Sequence, residues 1–137
     1  MVEQVALGRV VIPALNTPTK KVGDTLVPTP RWRYKGPACT ISLSYVVGWW
    51  GVVFNEMTPK VFETLSQPAS DVWKEFQPDR VLKGVVLTGL TPTEDEYYDL
   101  EMWFKSATFA DQGAIFTDCC KVPAVAAALE IVSCSFS

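Results

Sequence analysis

Residues 39–47 alternate with a period of two, and that pattern constrains the fold more than any other stretch. Ile41, Leu43 and Tyr45 hold one set of alternate positions while Thr40, Ser42 and Ser44 hold the other. Successive side chains of a strand point to opposite faces, so the pattern describes a strand with one face in a core and one in solvent. A strand needs partners, and the chain offers several. Val2 to Ile12 is a β-rich opening closed by Pro13. Arg80 to Thr88 places Val81, Val85 and Leu87 on one face. Ala114 to Val122 and Val125 to Phe136 form two further strands joined at Pro123. The last of these would tie the end of the chain into a sheet.

One helix is expected among these strands, over residues 91–108. Thr91-Pro92-Thr93-Glu94 has the form of a capping box, in which threonine and glutamate satisfy each other's free backbone donors. Tyr97, Leu100, Phe104 and Ala107 then recur at helical spacing as a buried stripe, with Asp95, Asp99 and Glu101 on other faces. Two shorter helical turns are expected at Thr58-Pro59 with Val61, Phe62 and Leu65, and at Val72, Trp73 and Phe76. The fold class is therefore α+β: mainly β, an antiparallel sandwich or barrel flanked by one principal helix, with a long Pro-rich arm. The 137 residues fit a single domain, and 48% apolar content supports a core without metal or disulfide staples.

The arm spans residues 13–37 and carries Pro13, Pro18, Pro28, Pro30 and Pro37. Proline removes ladder donors and extends its neighbours, so this stretch reads as an extended loop or a hairpin with its tip near Lys21 to Thr25. Its apolar residues Leu15, Leu26, Val27 and Trp32 favour docking on a neighbouring subunit; the plainer reading is a surface excursion. Deleting residues 16–29 is then expected to leave the domain folded but unable to assemble. Trp49 and Trp50, set between Gly48 and Gly51, are a core plug, an interface anchor or a sugar-stacking platform. Polar groups for sugar hydroxyls are scarce beside them. Leu15, Leu26, Val27, Trp32, Trp49 and Trp50 are the candidate interface residues.

Catalysis is disfavoured. The chain has no histidine, which removes the commonest general base, metal ligand and pH switch together. Nucleophile, zinc-protease, phosphate-loop and dinucleotide motifs are absent. Asp95 and Asp99 would share one side of the expected helix, but nothing in the nearby sequence would split their pKa values as an acid–base pair requires. Cys39, Cys119, Cys120 and Cys134 form no CxxC pair, so neither a metal site nor another cofactor is expected. Cys119 and Cys120 should face opposite sides of their strand. Most of the four serve as small core residues; the alternative is an inter-chain disulfide formed in an oxidising medium.

The net charge of −3 and scattered lysines and arginines oppose sequence-specific nucleic-acid binding. No apolar run approaches the ~20 residues of a membrane span, and Met1 to Gln4 lacks the start of a signal peptide. Synthesis in the cytoplasm, with no membrane partner, is expected.

An opening strand, a Pro-rich arm, the strand VLKGVVLTGL, the helix TPTEDEYYDLEMWF and a closing antiparallel pair together resemble the small β-plus-helix proteins of tailed-phage virions. Tail-tube and head–tail junction subunits share that order. The resemblance implies a virion structural protein assembled in the host cytoplasm. Its partners would be copies of itself in stacked hexameric rings around a DNA channel, and other virion proteins. Gly48 to Gly51 and the early helical turns depart from that pattern. A capsid decoration protein is the nearest alternative, and a carbohydrate-binding β-sandwich using Trp32, Trp49 and Trp50 the next.

Overall fold

A computed structural model describes the backbone of residues 4–6, and residues 9–124 and 129–137 in full. Its strands are β1 (Gln4–Ala6), β2 (Arg9–Pro13), β3 (Thr25–Leu26), β4 (Trp32–Gly36), β5 (Cys39–Trp50) and β6 (Phe54–Glu56). They continue with β7 (Val61–Gln67), β8 (Ser70–Phe76), β9 (Val85–Val86), β10 (Glu96–Lys105) and β11 (Gln112–Val122). The main sheet runs β1-β2-β11-β10-β5-β6, and β7 pairs with the first half of β5 on the same edge as β6. Its pairs are antiparallel except β2 with β11. This sheet curls into a half-barrel, and two small sheets, β3-β9 and β4-β8, accompany it.

The expected α+β class is overturned: among the described residues there is no helix. The stretch assigned to a helix at 91–108 contains β10, a central strand paired to β11 on one side and β5 on the other. Residues 96–105 satisfy two periods at once. Tyr98, Leu100, Met102 and Phe104 alternate toward the core as well as any helical stripe would, whereas Tyr97 is half-exposed and Ala107 exposed. Aromatic side chains fit a pleated surface, and pairing on two edges settled the competition for β. Thr91 to Asp95 is a bend before the strand rather than a cap.

The two short helical turns are strands as well, β7 and β8. Thr58, which reads as a cap, is buried beside β5. The Val47 amide donates to its hydroxyl at 3.0 Å, and the Met57 and Thr58 amides both donate to Val47 O at 3.1 Å. Along β7, Glu63, Leu65 and Gln67 are buried while Phe62, Thr64 and Ser66 face outward. The Arg80–Thr88 strand shrinks to β9. Leu82, Val85 and Leu87 enter the core and Val81 lies in solvent, because Gly84 at φ 88° breaks the alternation. Residues 129–137 carry no strand, and residues 125–128 of the expected final strand lie outside the described residues.

The core packs Ile41, Leu43, Tyr45 and Val47 of β5 against Leu65, Leu82, Val85, Leu87, Leu100, Met102, Cys120 and Val122. Leu26 joins them at 7% exposure. The 13–37 arm is therefore stitched to the domain rather than projecting from it. Gly23 N donates to Leu87 O at 2.9 Å and Leu87 N to Asp24 O at 2.8 Å, while β4 pairs with β8. Cutting out residues 16–29 would remove Leu26 from the core and the partner strand of β9, so that deletion is expected to unfold the domain. Burying one leucine is worth about 1.5–3 kcal/mol by itself.

Candidate interaction surface and buried polar sites

The reverse face of the main sheet buries charge. Arg9 of β2 and Glu101 of β10 form an ion pair with both side chains almost wholly covered, and the Arg9 guanidinium lies 5.4 Å from the Trp50 ring centroid. Gly113 makes this geometry possible. A Cβ there would meet Arg9 Cγ at 2.6 Å and the Trp103 ring at 2.8 Å, so only glycine lets the arginine lie across β11. Trp50 thus serves as a lid on a buried ion pair, whereas Trp49 is half-exposed.

Asp99 sits beside this pair and was expected on an outer helical face. Its carboxylate accepts from the Trp50 amide at 2.8 Å and the Asp118 amide at 2.9 Å, tying the end of β5 to β11. The β10–β11 register shifts between Tyr98 and Leu100, and Asp118 adopts φ 56° in the extra stretch of β11. Such a bulge re-aims the residues after it. In consequence Cys119 and Cys120 do not face opposite ways. Their sulfurs lie 4.0 Å apart, Cys120 inside the core and Cys119 packed against it. The mutual hydrogen bond, then burial, pushes the Cys119 thiol up and the same bond draws Cys120 down.

Burial raises the Asp99 pKa above its ordinary 3.8, against the opposing pull of the two amide hydrogen bonds. The folded chain therefore holds this proton more tightly than the unfolded one. The resulting stability is fully present below 3.8 and is lost as pH rises through the higher folded-state value. Urea unfolding from pH 3.5 to 6 should show wild type gaining on Asp99→Asn as pH falls. A difference that stays flat, or slopes the other way, would discount the burial effect.

A second polar cluster closes the core at Glu63. Tyr45 donates to the Glu63 carboxylate, the Gly84 amide donates to the Tyr45 hydroxyl at 3.0 Å, and the Lys83 amide and Arg80 reach Glu63 at 3.0 and 3.3 Å. Burial and the glutamate raise the Tyr45 pKa. The carboxylate is held by three donors and faces no cleft residue, which marks a structural clamp on the 80–84 loop. Among the described residues no group of three or more Cys, Asp or Glu side chains is placed to hold a metal, and no helix is long and apolar enough to cross a membrane.

Two apolar clefts lie between the core-side face of β2 and β11 and the arm. One, of about 590 Å³, is lined by Ile12, Leu26, Leu100, Met102, Phe116 and Cys119 together with residues 13–16, Pro18 and 27–31. The other, of about 550 Å³, adds Trp32, Ile41, Phe104 and Phe109, and shares Ile12, Pro30, Arg31 and Phe116 with the first. Arg31 is the single charged side chain lining the first cleft, and Arg31, Arg33 and Lys35 the charged ones lining the second. Neither wall carries a carboxylate, and the lining is mainly apolar.

The expected interface residues divide. Leu15 is 99% exposed and Val27 and Trp49 about half so, all available for contact. Leu26 belongs to the core. Trp32 packs against the core, meeting Phe104 at 5.3 Å between ring centroids and donating to Gln67 at 2.6 Å. Exposed apolar side chains outside that set lie on the β5–β6 hairpin, where Val52 is 93% exposed beside Val53 and Met57, and on β7 and β8 at Phe62, Val72 and Trp73. The alternation of β7 was the available signal for Phe62. No protein-family profile, no curated protein and no solved structure matches this chain.

Proposed function

We propose that this protein is a non-enzymatic structural subunit that works by assembling with copies of itself. What carries this reading is apolar surface: Trp49, Val52 and Val53 stay in solvent together on one hairpin beside a complete core, and Phe62 on β7 and Val72 and Trp73 on β8 are exposed as well. Single exposed apolar residues are ordinary, but contiguous groups of them mark contact surfaces. The clefts add concavities with mainly apolar walls and no carboxylate. The specific form of the reading is a ring-forming tail-tube or neck subunit of a tailed-phage virion. Of the element order behind that form, the opening strands are present, whereas the helix is replaced by β10, the Arg80–Thr88 strand shrinks to β9, the Pro-rich stretch is tied to the domain, and no strand follows β11 among the described residues.

Light scattering and negative-stain microscopy of the purified chain test this. Rings or another discrete homo-oligomer are expected, and Trp49→Arg with Val52→Asp should dissociate them while the circular dichroism of the domain is unchanged. A monomer at all accessible concentrations would defeat the proposal.

A further inference from the structure

The segment 129–137 has the sequence of a strand and the environment of none. Its apolar side chains Leu129, Ile131, Val132 and Phe136 are each 86–91% exposed, and no residue of the segment lines either cleft. Extended, nine residues reach about 30 Å, and alternate positions share a face. Glu130, Val132, Cys134 and Phe136 then form one side: a single negative charge followed by three apolar groups. The cleft of about 590 Å³ carries the complementary arrangement, apolar walls and one charge, Arg31, which is exposed and pairs with Glu75 at 3.3 Å.

We infer that residues 129–137 of one copy seat in the cleft beneath the arm of a second copy, with Glu130 toward Arg31 and the Val132–Phe136 face inward. The inference rests on the assembly reading above and names the contact that would make it. A second copy is the occupant because charge and apolarity match on both sides and because the single chain keeps this segment in solvent instead of in its own cleft. Extended peptides laid along a sheet draw specificity from alternate side chains, and Val132, Cys134 and Phe136 supply that set. Cys119 in the cleft wall and Cys134 on the inserted face come into range of one another.

The test uses the full chain in three arms. Val132→Asp with Phe136→Asp changes residues exposed in the isolated chain, so the fold should persist while self-association by analytical ultracentrifugation weakens on the order of a hundredfold. Arg31→Glu alone should weaken association, and adding Glu130→Lys should restore it, a readout that misfolding would not produce. Mild diamide oxidation of mixed heavy- and light-isotope chains should yield Cys119–Cys134 peptides of mixed isotope. An oligomer indifferent to the aspartates, an exchange that fails to restore association, or linkage confined to one isotope would overturn the inference and leave assembly standing. A chain that is monomeric throughout would overturn both.

Discussion

Glu101→Gln is expected to lower the unfolding free energy by about 3 kcal/mol, the largest single effect of any polar substitution in the domain. The reason is asymmetry. Arg9 and Glu101 are both almost completely covered by the sheet's reverse face, and the Trp50 ring lies over the guanidinium. Removing the carboxylate charge leaves a nearly covered cation with its desolvation cost and without the charge that Glu101 supplies. Removing both charges is a different experiment. Arg9→Met with Glu101→Leu should recover most of the loss, since paired apolar groups of similar volume replace a buried ion pair at little cost. Urea titrations of the two variants decide the matter. A loss under about 1 kcal/mol for Glu101→Gln would show the pair to be solvated in solution and of surface-bridge strength.

The second large effect separates strand from helix at β7. Leu65→Ala should cost about 2–5 kcal/mol, because the side chain is 1% exposed amid Ile41, Leu43 and Leu87. Phe62→Ala should stay within about 0.5 kcal/mol, because its ring is largely in solvent and surface changes rarely exceed that. A helix over the same residues would place Val61, Phe62 and Leu65 on one buried side and make the two losses comparable. Chemical denaturation of the pair reads the difference directly. Equal losses would reject the register in which Leu65 pairs with Ile41 and Phe62 with Ser44. The same comparison bears on assembly: Phe62, cheap to remove from the monomer, belongs to the apolar surface assigned to subunit contact.

Local signals were strong where one period stood alone. Residues 39–47 admit no helical reading, and β5 extends through them to Trp50. Ala114 to Val122 likewise falls within β11, and Pro13 ends β2. Signals failed where apolar residues are dense enough to satisfy two periods. In EYYDLEMWFK, positions spaced by two and by three or four are apolar alike, and a plausible cap upstream tipped the local reading toward a helix. Nothing local records that β5 and β11 lie on either side offering edges. Asp99 and Glu101 were misplaced for the same reason, since acidic residues read as solvent-facing unless their buried partners, remote in sequence, are known. Leu26 looked like a docking residue because the loop around it carries five prolines, which cannot donate to a sheet ladder. Its role in the core depends on Val85, to which it pairs from fifty-nine positions away.

By itself the order of residues determined that this chain makes β structure around an apolar core, lacks histidine chemistry, and keeps aromatic and aliphatic groups beyond what that core absorbs. These follow from composition and from periods of two, both written locally. The tertiary structure alone decided which strands pair, that the expected helix is a central strand, that Arg9 meets Glu101 across ninety-two positions, and that a cleft opens beneath the arm. Pairing energy and desolvation depend on what stands across the sheet, and a linear pattern holds no record of its neighbour.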